Sequence, residues 1–251
     1  LFDVRRVAPG VFLIGNLGLV SFNYGITLDQ VRGLVDTLEL DAFAFHLNAL
    51  QECIQPEGER DFTGLLKRLE LAVKALPVPV MVKEVGSGMT QDTMRRLIDC
   101  GVAAVDVGGR GGTSWSVIEG HRGGRLTRRL GELFRNWGHT TEQSVHGCAA
   151  VIRETGASTA LVATGGIRNG LQVAEAIVAG ATMAGVGLPL FRAVVTPPDG
   201  LSPEEALNEE LQFFSRSLRI ALFCSGYGDL GSLAHRPPAF PAPTVSGGRH
   251  G

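Results

Sequence analysis

Apolar positions along the chain fall into two alternating rhythms. Short apolar runs at Val11–Asn16, Ala42–Asn48, Val78–Glu84, Val102–Val107, Ala160–Ala163 and Met183–Gly187, each bounded by turn residues, read as strands. Helical spacing fills the intervals. Leu28, Val31, Leu34, Val35 and Leu38 form one stripe, opened by a Thr27/Gln30 capping box. Phe62, Leu65, Leu66, Leu69, Val73 and Leu76 form a second. Thr90 caps a third helix that stops before Gly101, and a fourth runs from about Asn169 to Gly180. A long last helix opens at Ser202-Pro-Glu-Glu205.

Strand–helix repetition implies an α/β fold with a parallel sheet and right-handed crossovers. The pattern yields six such units, whereas a TIM (β/α)8 barrel needs eight. The barrel reading therefore expects two units ahead of Leu1, and an open six-stranded sheet is the competitor. Strand parity favours the barrel. In Ala42–Asn48 one face carries Ala42, Ala44, His46 and Asn48, and the other Phe43, Phe45 and Leu47. Small residues giving way to polar ones on the inner face suit a barrel strand that opens on a site. Lys83 and Asp106 also sit at the ends of apolar strands. Residues 1–234 thus read as one domain, followed by a loosely attached Pro/Gly-rich tail over 235–251. The long 107–160 connection reads as a loop at the catalytic face, a candidate lid, with a helix after Thr141.

Composition narrows the function classes. A net charge of -2 and short, interrupted basic runs, the longest at Arg122–Arg129, give no reason to expect nucleic acid. No apolar run approaches the ~18 residues that span a bilayer. Cys53, Cys100, Cys148 and Cys224 have neither metal-ligand nor redox spacing, so they read as reduced thiols of a cytoplasmic protein.

Five constellations carry chemistry. Gly165-Gly-Ile-Arg-Asn-Gly170 follows a strand and precedes a helix, where glycines let backbone approach an anion and the helix N-terminus offers N–H groups. Arg168 can add a bidentate phosphate contact, and Gly185-Val-Gly-Leu-Pro189 one unit later is where the other half of a cradle should lie. The alternative is a tight turn. Gly108-Gly-Arg-Gly-Gly-Thr113 is a flexible loop able to lie against a flat ring, with Thr113 as a hydroxyl donor. Lys83 can stabilise negative charge on such a ring, or pair with Glu84. In His46-Leu-Asn-Ala-Leu-Gln-Glu52, His46 and Asn48 share the inner face and Gln51-Glu52 lies on the loop beyond. One carboxylate with amides suits Mg²⁺ better than zinc. Asn16 can contact a ring or cap a turn.

These pieces, in this order, resemble type 2 isopentenyl diphosphate isomerase, an FMN- and Mg²⁺-dependent family on a TIM barrel. The matching stretches are Asn16-Leu-Gly with Asn23-Tyr-Gly, His46–Glu52 followed by Gln55-Pro-Glu-Gly, Val82-Lys-Glu-Val-Gly, Val105–Trp115 and Gly165-Gly-Ile-Arg, spread over residues 4–224. The His46–Gly58 stretch and the Gly-Arg-Gly-Gly-Thr loop are the most specific. The resemblance implies that Asn16, Lys83 and Thr113 contact FMN. It implies that Gly165, Gly166, Ile167, Arg168, Gly187 and Leu188 hold its phosphate, that Gln51 meets the substrate and that Glu52 binds Mg²⁺. His46 and Asn48 stand as further substrate contacts, with Gln51, Lys83 and His46 as the catalytic set. The implied reaction is isopentenyl to dimethylallyl diphosphate on reduced FMN, with NADPH or another reductant, in a homo-tetramer or homo-octamer. The alternative is an FMN-dependent oxidoreductase of a 2-hydroxy acid. The family's first strands, with a flavin-contacting loop and a Ser-Gln-Arg motif, have no counterpart here. Ala49 and Ser87 replace a common proline and phenylalanine.

Overall fold

The structure, a computed structural model, describes residues 4–235; residues 1–3 and nearly all of the expected tail lie outside the described residues. Six strands are formed: β1 (Ile14–Gly18), β2 (Ala42–Leu47), β3 (Val80–Glu84), β4 (Ala104–Asp106), β5 (Ala160–Ala163) and β6 (Met183–Ala184). They lie side by side in chain order, every neighbouring pair parallel. Strictly sequential order is what successive right-handed crossovers build around a barrel, whereas a doubly wound sheet reverses at a switch point. The open-sheet alternative is set aside on that ground, and the fold is six units of a β/α barrel.

The crossovers are α1 (Leu28–Thr37), α2 (Ala49–Ile54), α3 (Leu65–Ala75), α4 (Gln91–Asp99), α5 (Trp115–Arg122), α6 (Arg125–Leu133), α7 (Thr141–Thr155) and α8 (Gly170–Ala179). After β6 come α9 (Leu188–Val195), α10 (Pro203–Cys224) and α11 (Leu230–Ala234). Thr27/Gln30 and Ser202/Glu205 form reciprocal capping boxes as expected, and Thr140/Gln143 adds a third at the start of α7. Gly180, at φ 112°, ends α8 in the left-handed conformation that glycine adopts freely.

Two expectations need correction. The 107–160 connection holds the expected helix after Thr141, α7, but the stretch ahead of it is no loop, since α5 and α6 occupy it. The first strand starts at Ile14, because the chain before it is tied elsewhere. Leu13 N–H donates to the Asp41 carboxylate at 2.7 Å, which Arg5 also grips at 2.6 Å.

Parity and register then fix the two faces of the sheet. Phe43, Phe45, Val80, Val82, Val105 and Leu161 point to the helices and pack with Val31, Leu69, Met94 and Leu97, all almost wholly buried. Each such side chain contributes about 1.5–3 kcal/mol. Phe45 meets Phe22 and Phe43 at ring separations of 5.3 and 5.0 Å. On the opposite face, register aligns Gly18, His46, Lys83, Asp106, Val162 and Met183 in one row across all six strands. Register partners share a face, so this row lies at the C-terminal rim. Among the described residues no helix is long and apolar enough to cross a membrane.

Candidate functional site

A cavity of about 340 Å³ opens where β3 to β6 end, lined by Lys83, Asp106, Thr113, Thr164 and the Gly165–Arg168 and Gly185–Leu188 turns. It unites Lys83, Thr113, Gly165, Gly166, Ile167, Arg168, Gly187 and Leu188 in one wall. Two glycine loops stack to build it. Gly165 and Gly166 adopt φ of 109° and 86°. A Cβ on Gly165 would overlap the carbonyl oxygen of Gly109, and one on Gly166 that of Gly111. Gly109 N–H donates to Thr164 O at 2.8 Å, and the Thr141 hydroxyl donates to Gly165 O at 2.6 Å. The Gly108–Thr113 loop is therefore clamped backbone to backbone against the Gly165 turn rather than flexible.

The donors also differ from expectation. The first turn of α8 is spent inside the fold: Gly170 N–H donates to Ser217 Oγ at 2.8 Å and Gln172 N–H to Asn169 Oδ1 at 2.9 Å. Arg168 N–H goes to Gln172 Oε1 at 2.7 Å, and the Arg168 guanidinium to Ile167 O at 3.2 Å. The other half of the cradle is less constrained. A Cβ on Gly187 would meet nothing within 4 Å, and Leu188 begins α9.

The rim row supplies the charges. Lys83 Nζ donates to the main-chain oxygen of Glu84 at 3.2 Å. The expected alternative, an ion pair with the Glu84 carboxylate, does not form, because that carboxylate accepts from Val85, Gly86 and Ser87 N–H at 2.6, 2.7 and 2.6 Å. Burial raises the Glu84 carboxyl above the usual range, and those backbone donors pull against it. Asp106 Oδ1 accepts from Thr164 Oγ1 at 2.5 Å and Gly108 N–H at 3.0 Å. Burial raises Asp106 too, opposed by these bonds and by the Lys83 charge. Burial, then the Lys83 charge, push His46 down to about 4, so its ring is neutral near pH 7. His46 Nδ1 lies 3.2 Å from Asn16 Oδ1. With the amide so assigned, Nδ1 carries the hydrogen and Nε2 the lone pair. Asn16 sits in the middle of β1 rather than at its end, is exposed and lines a separate cavity; its link to the row is His46.

A second cluster lies past β2. Gln51 and Glu52 stand on α2, where the sequence suggested a loop. Asn48 occupies the N-cap position but does not cap. Its Nδ2 donates to Glu52 Oε1 at 2.6 Å and lies 3.4 Å from Gln51 Oε1. Glu59 N–H donates to Glu52 Oε2 at 2.7 Å. Gln51 Nε2 donates at 2.9 Å to Glu119, which is only 2% exposed, and Arg122 closes on the same carboxylate at 2.7 Å. Sequence reading missed Glu119 and saw Arg122 only as the start of a short basic run. The available signal was Ser116, Glu119 and Gly120 on one helical face, now buried.

The cluster fits a hard cation. Its candidate ligands are the Glu52 carboxylate and amide oxygens, and Asn48 Oδ1 is a buried acceptor with no donor among the described residues. The described residues hold no group of three or more His, Cys, Asp or Glu that would hold a metal unaided.

With this geometry in place, comparison with known proteins is informative. The profile of a family described as FMN-dependent dehydrogenase matches residues 47–236. Proteins named isopentenyl-diphosphate delta-isomerase are similar in sequence. The Synechococcus sp. protein is 45% identical over 92% of this chain, and the Nostoc sp. protein 40% over 93%. The chain spans 64% of the length of each. A mandelate oxidase variant solved with an FMN adduct superposes with a TM-score of 0.61 at 17% identity, covering 93% of this chain and 64% of that one. That likeness shows the fold.

Proposed function

The chain belongs to the FMN-dependent dehydrogenase family, and from that premise we propose that it is the barrel portion of an enzyme that interconverts isopentenyl and dimethylallyl diphosphate with reduced FMN and Mg²⁺. The observation that supports this reading is that buried Glu119 holds Gln51 beside the Asn48–Glu52 pair, on the helix that follows the β2 rim. The names of the relatives support it.

The reaction moves a double bond: one carbon gains a proton and another loses one, with no net oxidation. FMN, when bound, supplies a ring nitrogen that can exchange a proton. The protein supplies position and charge. Lys83 would set a positive charge beside the ring, Thr113 and Asn16 would contact it, and the Gly165–Arg168 and Gly187–Leu188 backbones would hold the phosphate. Glu52 and the Asn48 oxygen would hold Mg²⁺, which would supply positive charge for the diphosphate. The Gln51 amide is a poor acid or base, so its part is to orient the substrate. Neutral His46, in the rim row, offers Nε2 as an acceptor. NADPH or another reductant, a cytoplasmic setting and a homo-tetramer or octamer complete the proposal. A 2-hydroxy-acid dehydrogenase would need a histidine base beside an arginine in the cleft, and neither His139 nor His146 lines it.

The test is proton NMR of isopentenyl diphosphate in D₂O with the full-length protein, Mg²⁺ and FMN, kept anaerobic, before and after dithionite. Deuterated dimethylallyl diphosphate appearing only after reduction is the expected result. FMN bound with no product in either state refutes the isomerase.

A further inference from the structure

The sequence reading singled out Asp106 as a strand-end polar residue, and no part of the proposed machinery uses it. Its surroundings are specific. It is 6% exposed, lines the same cleft as Lys83, Thr113 and Gly165, and is the register partner of Lys83 on the adjacent strand. Neighbouring strands lie about 4.8 Å apart, so the two side chains leave one face as close neighbours. Thr164 and Gly108 both donate to Oδ1, which fixes the carboxylate against the wall.

The charges around it can be counted. On β2, the residue on the far side of Lys83 is His46, which carries no carboxylate. On β3, the Glu84 carboxylate is turned away into its own loop. After β5, the Arg168 guanidinium rests on Ile167 O. Lys83 therefore has one acidic neighbour along the row, and it is Asp106. A lone ammonium against the ring would shift reduced flavin toward its anion and weaken it as a base. A reaction in which a flavin nitrogen takes up and gives back a proton needs a balanced charge.

We propose that Asp106 is the counter-charge to Lys83 in the flavin cleft, a positioning residue that keeps the bound reduced flavin basic enough to exchange a proton. This rests on the reading that FMN occupies the cleft. Asp106 acts through the Lys83–flavin pair and touches no reacting carbon. Its anchors, Thr164 and Gly108, belong to the stacked loops, so charge balance and cofactor cradle are built from the same backbone.

The experiment is a pH titration of the full-length, FMN-loaded protein, photoreduced under argon, following the near-ultraviolet absorbance that separates neutral from anionic reduced flavin. Asp106→Asn keeps the shape and the Thr164 bond and removes one negative charge. It should move the flavin midpoint to lower pH by about one unit, a tenfold fall in proton affinity. Lys83→Met should move it to higher pH, and adding Asp106→Asn to Lys83→Met should bring it back. That pair of variants carries the test if Asp106→Asn does not fold alone. A purely structural role would lower the melting temperature and leave the midpoint in place; this outcome, with FMN bound, overturns the proposal alone. Failure of the full-length protein to bind FMN at any pH overturns the flavin reading and the proposal with it.

Discussion

Replacing Gly166 by alanine should destabilise the protein in the absence of any cofactor. At φ 86° the residue is left-handed, which costs an L-residue about 1–2 kcal/mol. The new Cβ would also run into the carbonyl oxygen of Gly111, a backbone atom that cannot swing aside. Forcing extra volume into such a contact costs about 1–3 kcal/mol. The sum is about 2–5 kcal/mol. Gly187→Ala is the matched control. Its φ is -126°, which any residue adopts, and its Cβ would meet nothing within 4 Å. It should leave the apoprotein within ~0.5 kcal/mol of wild type. If Gly187 lies against the FMN phosphate, however, its affinity for FMN should fall about tenfold, or ~1.4 kcal/mol. The assay is urea unfolding of the full-length apoprotein, followed by FMN titration of each variant. An apo Gly166→Ala protein as stable as wild type, with only its FMN affinity reduced, would refute the loop-stacking argument and return these glycines to phosphate approach alone.

Three further outcomes are expected. His46 is protonated near 6.5 in the unfolded chain but only at about 4 in the folded one. The unfolded state therefore binds protons first, and about 2–3 kcal/mol of stability is lost as pH falls through that window. Denaturant unfolding at pH 7 and 4.5 should show His46→Gln losing less than wild type over the interval, and equal losses would contradict the assignment. Glu119→Leu should strand Gln51 and cost about 1–3 kcal/mol, with isomerisation falling at least ~10-fold while Glu119→Gln retains more; this is read by chemical denaturation and product formation. Burial pushes the Cys148 thiol up to about 12, so with Ellman's reagent at pH 8 it should react only on unfolding, whereas exposed Cys53 and Cys224 react at once.

What the sequence revealed and what it hid divide by the range of the interaction. Thr27/Gln30 and Ser202/Glu205 were legible because a capping box closes within four residues. The two faces of Ala42–Leu47 were legible because a strand repeats every second residue. Gln51 and Glu52 were misplaced on a loop since α2 spans six residues, too short for a stripe to announce itself. The 107–160 connection hid α5 and α6 for a related reason: glycines at 120, 123, 124 and 131 break the pattern, yet Gly120 and Gly131 are where the two helices touch.

The most consequential features arise from pairs far apart in the chain, and no local pattern encodes them. Gly166 requires Gly111, Gln51 requires Glu119, and Asp106 requires both Lys83 and Thr164. Each partner taken alone has an ordinary explanation: a turn glycine, a surface glutamate, a strand-end aspartate. What gives them a role is the sequential strand order, which carries the end of every strand to one rim. Once that order is known, the register alone predicts the row His46, Lys83, Asp106, because parallel pairing leaves no choice of neighbour. A cleft assembled in this way has its charges set by topology. The same lysine on an open sheet with a switch point would face different neighbours, and a flavin there would meet a different balance of charge.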